Sequence, residues 1–225
     1  TSVNTGTIGY EHVGYNVGGI VGRTDGLVSG CVNQGRVLGR KDVGGIAGTM
    51  GVENLLDPEE DNKDDGTSLL RTSYTVSAVL IGNINEGSIT AKKDMVGGIV
   101  GQAARPIVAV QCLNKAAVKF AGESPKVRTA VGGIIGNAFA KGDAKWAVAV
   151  VECRNEGDVS CGYAANTYNS ARGIHVGGLC GFIAGNETVN AVVRFSSNTG
   201  AVHSESGRIL SLIHISEPTR RRGIS

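Results

Sequence analysis

The chain has 225 residues, a formal net charge of 22 − 20 = +2, and 35 glycines, about twice the usual share of that residue. Hydrophobic residues make up 41% of the chain, which excludes intrinsic disorder, and the glycines do not recur at every third position, which excludes collagen. No apolar run reaches the roughly 18 to 20 residues of a membrane-spanning helix. The charge is too balanced to indicate a nucleic-acid partner. The composition therefore indicates a folded chain with one sizeable core and a structural use for glycine.

Two short sequence boxes alternate along the whole chain. The first is Asn-x-Gly-x-Val/Ile, whose copies begin at Asn4, Asn33, Asn85, Asn155 and Asn198. A degenerate copy begins at Asn114, where Ala116 replaces the glycine. The second is Val-Gly-Gly, an aliphatic residue and then another glycine two positions later, whose copies begin at Val17, Val43, Val96, Val131 and Val176. The segment from each asparagine to the next valine varies from 10 to 21 residues while the boxes stay constant, which is typical of a repeat protein.

The chemistry of the boxes predicts short strands. Repeated glycine inside a strand-length segment indicates close approach of another backbone or a tight bend. Asn-x-Gly is typical of a turn because both residues tolerate positive φ, and the Val or Ile after it begins another strand. Each repeat is therefore predicted to hold two or three strands and no helix.

A unit of this size buries its apolar side chains only when copies stack. We therefore predict an all-β fold, a β-solenoid of the right-handed parallel β-helix type, in preference to a β-sandwich built of hairpins. The box valines at 17, 43, 96, 131 and 176 should then occupy equivalent inward positions in successive coils. The predicted solenoid domain covers residues 1–209.

Two segments break the repeat. Residues 53–67 form an acidic insertion, predicted to be a loop, with carboxylates at Asp57, Glu59, Glu60, Asp61, Asp64 and Asp65. Calcium prefers such ligands, but no known calcium-loop spacing is present, so a solvated loop is the expectation. Residues 210–225 lack the glycine box that is due there, and they resemble translated sequencing-adapter read-through at the end of a metagenomic gene fragment. Without them the net charge is 19 − 19 = 0, so the terminal arginines indicate neither a nucleic-acid nor a membrane partner.

Three of the five cysteines share one repeat position. Cys31, Cys112 and Cys153 each lie two residues before a box asparagine, and Ser196 takes that place in the last copy. Equivalent positions stack in a solenoid, so these side chains are predicted to form a buried column of small residues. Cys161 and Cys180 lie outside it. No Cys-x-x-Cys pair is present, which disfavours zinc or thioredoxin chemistry, and we expect at most one disulfide.

Candidates for catalysis are few. The histidines, His12, His175, His203 and His214, lie in no zinc-peptidase motif, and the glycine boxes lack the Lys-Ser/Thr of a phosphate loop. Charged residues near the glycine boxes suit either the open coil face of a polysaccharide lyase or ordinary turns: Asp25, Arg40, Lys41, Asp42, Lys92, Lys93 and Asp94. We assign no catalytic, cofactor-binding or metal-binding residue.

The alternating boxes over about residues 4–202 resemble the GLUG-type repeats of large bacterial surface and secreted proteins. Such repeats accompany adhesin-like proteins and flank the peptidase domain of IgA1-specific metallopeptidases. The resemblance implies an exported β-solenoid, at the cell surface or secreted, without catalytic residues of its own. We therefore expect a structural or adhesive module with a surface partner such as a host protein or a glycan. The alternative is an accessory region of a secreted peptidase or carbohydrate-active enzyme whose catalytic domain lies outside this chain.

Overall fold

The computed structural model describes residues 1–10, 13–24, 26–50, 78–103, 107–122, 129–139, 148–162, 174–185 and 190–205. The acidic insertion at 53–67 and the tail at 210–225 lie outside the described residues, as do Asp25, His12 and His214. Among the described residues, no helix has the length and apolar character needed to cross a membrane.

Short strands follow one another in five coils and the start of a sixth. The first coil holds β1 (Val3–Asn4), β2 (Tyr15–Gly18), β3 (Val21–Thr24) and β4 (Leu27–Ser29). The second holds β5 (Val32–Asn33), β6 (Val37–Gly39), β7 (Lys41–Gly44), β8 (Ala47–Met50) and β9 (Ala78–Ile81). The third holds β10 (Ile84–Asn85), β11 (Ile89–Ala91), β12 (Met95–Gly97), β13 (Val100–Ala103) and β14 (Ile107–Val110).

The remaining coils repeat this order of strands. The fourth holds β15 (Leu113–Asn114), β16 (Val118–Phe120), β17 (Thr129–Gly132), β18 (Ile135–Phe139) and β19 (Val148–Val151). The fifth holds β20 (Arg154–Asn155), β21 (Val159–Cys161), β22 (Ile174–Gly177), β23 (Cys180–Ala184) and β24 (Val192–Arg194). The sixth begins with β25 (Ser197–Asn198) and β26 (Val202–Ser204).

Equivalent strands of successive coils pair side by side into five sheets. Sheet 1 is β1-β5-β10-β15-β20-β25, sheet 2 is β6-β11-β16-β21-β26, and sheet 3 is β2-β7-β12-β17-β22. Sheet 4 is β3-β8-β13-β18-β23, and sheet 5 is β4-β9-β14-β19-β24. The strand ladders within all five sheets are parallel. The predicted all-β parallel solenoid is therefore confirmed, while its right-handed sense stays a prediction.

The box valines stack as expected. The register pairs Val17 with Val43, Val43 with Val96, Val96 with Val131, and Val131 with Val176. The last four are fully buried, and Val17 in the first coil is half-buried. These valines form the inner row of sheet 3, which packs against Val37, Ile89 and Val118 of sheet 2.

Each complete coil is folded back on itself. One apolar core lies between sheets 2 and 3, and a second, which includes Ile46, Leu80 and Ile107, lies between sheets 4 and 5. Sheets 3 and 4 therefore form the middle of a four-layer arrangement, in the order 2, 3, 4, 5. The prediction of two or three strands per repeat was wrong because one glycine-rich segment forms both middle strands.

Glycine lets the two middle layers touch. A Cβ added at Gly44 in sheet 3 would lie 2.7 Å from the Gly101 nitrogen, and one at Gly101 in sheet 4 would lie 2.5 Å from the Val43 nitrogen. Sheets normally pack about 10 Å apart, so this contact is far closer and leaves no room for side chains. The same pairing joins Gly18 to Gly48, Gly97 to Gly136, and Gly132 to Gly181. The expected close approach of a second backbone is confirmed.

Candidate functional site

The six box asparagines form a continuous hydrogen-bonded ladder along sheet 1. The Nδ2 of each of the first five donates to the Oδ1 of the asparagine in the next coil, at 2.6 to 2.7 Å, from Asn4 through Asn33, Asn85, Asn114 and Asn155 to Asn198. Each Nδ2 also donates to the carbonyl two residues later in its own chain, as Asn114 does to Ala116 O at 2.8 Å. The degenerate box at Asn114 is therefore a full member of the ladder.

The ladder differs from the turn that the sequence predicts. The asparagines lie in strands and have no positive φ, and the four central ones are fully buried. A buried amide must find partners for its donor and acceptor groups, and stacking in register provides them. The box does turn the chain from sheet 1 into sheet 2, as predicted. The ladder was missed because a single Asn-x-Gly gives no sign of the identical asparagines above and below it.

In each coil the Val-Gly-Gly segment turns the chain from sheet 3 back into sheet 4, and we call this turn the glycine arch. The ladder supports the tip of the arch, which explains why the two boxes alternate. The second glycine of each Val-Gly-Gly lies against the asparagine of the following coil: a Cβ added at Gly133 would lie 2.2 Å from Asn155 Cγ and 2.1 Å from Gly178 O. The equivalent contacts join Gly19 to Asn33, Gly45 to Asn85, Gly98 to Asn114, and Gly178 to Asn198. The arch tip therefore touches sheet 1, and the two boxes form one structural unit.

The arch tip contacts sheet 1 at one end of each coil. We call the end that lies away from sheet 1 the rim. Sheets 2 and 5 are joined directly to sheet 1, and sheets 3 and 4 reach it through the arch, so the other ends of all four layers point away from it. The strands of sheets 2 and 4 end there, and those of sheets 3 and 5 begin there. Two chain segments join these strand ends, one from sheet 2 to sheet 3 and one from sheet 4 to sheet 5, and most of their residues lie outside the described ranges. We call these the rim connections.

The rim connections hold the length variation of the repeat. The connection from sheet 4 to sheet 5 takes three residues (104–106) in the third coil and residues 51–77 in the second. The connection from sheet 2 to sheet 3 takes one residue (Arg40) in the second coil and residues 162–173 in the fifth. The three other connections keep the same length in all coils that have them. The rim is therefore the candidate functional site.

The cysteine column is confirmed. Cys31, Cys112 and Cys153 are buried, and all five cysteines are free thiols. Asn83 occupies the column position of the third coil, where it accepts from the Cys31 backbone nitrogen at 3.0 Å. Ser196 accepts from the Cys153 nitrogen in the same way, also at 3.0 Å. Cys161 lies outside the column in the core between sheets 2 and 3, and Cys180 packs against the other core.

We expect the thiols to react slowly in the native protein. The hydrogen bond with Cys112, and then burial, raise the pKa of Cys153, and burial raises the pKa of Cys180 to about 12. Because the thiolate is the reactive form, iodoacetamide at about pH 8 should modify the folded chain far more slowly than the urea-unfolded chain. Intact-mass spectrometry measures the rates. Rapid labelling of all five thiols in the folded protein would contradict the column.

A left-handed residue turns the chain from sheet 5 into sheet 1 in every coil. Its φ lies between 53° and 61° at Gly30, Gly82, Gln111, Glu152 and Phe195. A residue with a Cβ is strained there by roughly 1–2 kcal/mol. We expect Glu152→Gly to raise the free energy of unfolding by about 0.5–1 kcal/mol, after the entropy cost of glycine is subtracted.

Glu156→Gly is the matched control, because this glutamate is also exposed but has no positive φ. Glu156→Gly should lower the free energy of unfolding by about 0.5–1 kcal/mol. A urea titration of both variants measures the two changes. Equal effects of the two substitutions would show that the left-handed corner carries no strain.

Charged residues meet at the connection from sheet 2 to sheet 3. Lys41 Nζ lies 3.5 Å from Asp94 Oδ2 of the next coil, and Lys92 and Lys93 donate their backbone N–H groups to Arg40 O. The Gln102 amide, oriented with its nitrogen toward Asp42, donates to that carboxylate at 2.8 Å. Lys41, Asp42 and Asp94 are buried, so these charges join coils two and three and do not line an open coil face.

The described histidines lie apart from one another. His175 is half-buried in β22, with its ring centroid 5.2 Å from that of Phe182, and His203 is exposed in β26. Strand β22 therefore holds His175 against an aromatic ring. Among the described residues, no group of three or more His, Cys, Asp or Glu side chains could hold a metal ion.

Exposed polar side chains also stack along the connections from sheet 1 to sheet 2. Glu86 accepts from Lys115 Nζ and Gln34 Nε2, each at 3.0 Å, and these partners, Lys115 first, lower the pKa of the Glu86 carboxyl. The pairs are exposed and contribute little to stability. Their small contribution is present at neutral pH and disappears as the pH falls through the lowered pKa.

Comparison with known proteins returns no match: no family description, no curated protein and no solved structure matches this chain.

Proposed function

We propose that this protein is a non-catalytic structural and adhesive repeat module of a bacterial cell-surface or secreted protein. Its coils form a stiff scaffold, and its rim connections present a variable surface to a host protein or a glycan. The observation that carries the proposal is the confinement of length variation to the rim, while the connections along the other side of each coil stay constant. The resemblance to GLUG-type repeats supports the placement outside the cell.

Stiffness follows from the bonds between coils. Five parallel ladders and the asparagine ladder link each complete coil to the next one, so bending the rod would break hydrogen bonds in several sheets at once. Repeat proteins gain their stability from such neighbour contacts. A scaffold of this kind keeps its shape whatever the length of its rim segments, and this is what a display role requires.

The alternative role, as an accessory region of a secreted peptidase or carbohydrate-active enzyme, would draw on charged side chains facing a substrate. The charges of Lys41, Asp42 and Asp94 are buried between two coils. Their position favours the structural role.

Insertion of Gly-Ser-Gly at two sites tests the division between scaffold and rim. Placed within 104–106 at the rim, the insertion should leave the thermal unfolding midpoint within a few degrees of wild type, because loop lengthening costs little. Placed between Glu86 and Gly87, next to the asparagine ladder, it should abolish cooperative unfolding as followed by circular dichroism. Equal tolerance at both sites would contradict the proposed scaffold.

The adhesive role is tested with immobilised mucin, fibronectin and a printed glycan panel as the probes. The full chain is compared with a variant in which Ala-Arg-Pro, the sequence of 104–106, replaces residues 51–77. We expect the variant to fold and to lose binding to at least one surface that the full chain binds. Failure of the full chain to bind any of these surfaces, or identical binding by the variant, would count against the adhesive role of this segment.

A further inference from the structure

The outer side of sheet 5 is apolar. In β9, Ala78 and Leu80 are buried inward, whereas Val79 and Ile81 alternate with them and reach solvent. The register continues these outward positions through β14 and β19, in one row of Val79, Val108 and Ala149 and another of Ile81, Val110 and Val151. These six residues are called the apolar face. Leu27 extends the first row in coil one and Val192 extends it in coil five.

The outer side of sheet 2 is different. Its outward row holds Thr90, Lys119, Ser160 and His203 in coils three to six. Solvent-facing positions in strands are commonly polar, as they are here. A solenoid therefore has no intrinsic need for aliphatic outward rows, and the apolar face calls for a separate explanation.

The chemistry of the apolar face limits the classes of partner that it can bind. The six side chains carry neither hydrogen-bonding groups nor aromatic rings, so they offer nothing to the hydroxyl groups of a glycan. They carry no charge for a nucleic acid or an ion. A flat face of a β-sheet packs best against another flat apolar sheet, about 10 Å away.

The size of the apolar face fits a weak dimer. The five strands of sheet 5, which hold the apolar face together with Leu27 and Val192, cover roughly 25 Å by 10–13 Å, or about 250–330 Å². The adjoining outer row of sheet 1, with Val32, Ile84 and Leu113, lies at the margin and adds roughly 150 Å². Two copies together would bury about 800–950 Å², just below the roughly 1,000 Å² of the smallest specific interfaces. The dissociation constant should then lie in the micromolar range.

Charge decides the orientation of the two copies. Arg194 ends the second row in coil five, and Ser29 occupies the same position in coil one. Copies with parallel solenoid axes would place the two Arg194 side chains near each other. Antiparallel axes, related by a two-fold rotation near coil three, place each arginine near the uncharged Ser29 end. Two-fold symmetry is also the commonest in dimers.

We propose that the apolar face joins two copies of this chain in a side-by-side dimer with antiparallel solenoid axes. Val108 and Val110, in the middle coil of five, lie next to the two-fold axis. This association is independent of the rim, so it leaves the variable segments of both copies available to other partners.

Sedimentation velocity on the full chain tests the dimer. The wild type should shift from monomer to dimer between about 1 and 100 µM, the range of a weak sheet-to-sheet contact. Val108→Arg should raise the dissociation constant about a hundredfold or more, because it places two unpaired charges at the axis. Thr90→Arg, on the outer side of sheet 2, is the matched control and should leave the constant unchanged. Circular dichroism checks that all three proteins fold, and Val110→Lys is the second variant if Val108→Arg does not.

Cysteine crosslinking tests which face forms the interface. Under copper-phenanthroline oxidation, Val108→Cys should form a disulfide-linked dimer, whereas Thr90→Cys should not. The proposal is overturned if the wild type stays monomeric at about 100 µM. It is equally overturned if the folded arginine or lysine variants dimerise like wild type, or if the two cysteine variants crosslink equally. A monomeric wild type that still binds through its rim would leave the proposed adhesive role intact.

Discussion

Asn114→Ala should lower the free energy of unfolding by about 3 kcal/mol or more, because it interrupts the asparagine ladder at its centre. The substitution removes the bonds from Asn85 Nδ2 and Ala116 N to Asn114 Oδ1, and those from Asn114 Nδ2 to Asn155 Oδ1 and Ala116 O. Two donors and two acceptors lose their partner, and the amides of Asn85 and Asn155 among them are fully buried. Each unsatisfied buried group costs about 1–3 kcal/mol. Urea titration followed by circular dichroism measures the loss.

Asn4→Ala is the matched control at the end of the ladder. Asn4 makes one ladder bond, to Asn33, and is only half-buried, so its loss should cost about 1 kcal/mol. Gln34→Ala, which changes an exposed side chain in the connection that follows β5, should cost less still. If Asn114→Ala were no more destabilising than Asn4→Ala, the ladder would not be a continuous buried network.

Gly133→Ala should be at least as damaging, although it adds a single methyl group. The new Cβ would lie 2.1 Å from Gly178 O and 2.2 Å from Asn155 Cγ, so the backbone of the next coil has to move. Overpacking of this kind typically costs 1–3 kcal/mol of unfolding free energy. Because the contact repeats along the stack, we expect Gly133→Ala to cost about 3 kcal/mol or more. Chemical unfolding monitored at several urea concentrations gives the value.

Gly162→Ala is the matched control for the arch. A Cβ at Gly162 would meet only Phe120 O, at 3.8 Å, and this glycine is exposed with no positive φ. The substitution should change the free energy of unfolding by less than about 1 kcal/mol in either direction. Equal losses for the two variants would show that the arch tip has room for a side chain.

The sequence predicts that equivalent repeat positions stack in successive coils, but it does not predict how the strands are arranged within one coil. Val43, Val96 and Val131 could be aligned from their boxes, and the shared spacing of Cys112 and Cys153 predicts their column, because a parallel solenoid places equal repeat positions in register. The arch could not be derived in this way. A segment such as Val96–Gly101 suits one strand with a bend as well as two strands back to back, and only the contact of Gly97 with Gly136 decides between them.

The asparagine ladder was missed for a related reason. A single Asn-x-Gly has strong turn chemistry, and local reasoning does not count the neighbours that stacking provides. One signal was available: each box asparagine in the chain precedes a Val or Ile by four positions, as Asn33 precedes Val37 and Asn85 precedes Ile89. That constant spacing, beside rim connections of changing length, marks the asparagine as part of the scaffold. The acidic insertion and the terminal tail lie outside the described residues and stay predictions.

The two boxes form one unit, in which the arch glycine of one coil contacts the asparagine of the next. A double-mutant cycle on Gly178 and Asn198 tests it most directly, because the three atoms nearest to a Cβ at Gly178 all belong to Asn198. We predict that Gly178→Ala costs less in the Asn198→Ala background than in wild type, with a coupling of about 1 kcal/mol or more. The same cycle on Gly178 and Asn4, which lie at opposite ends of the solenoid, should give none. Additivity within about 0.5 kcal/mol for Gly178 and Asn198 would contradict the account.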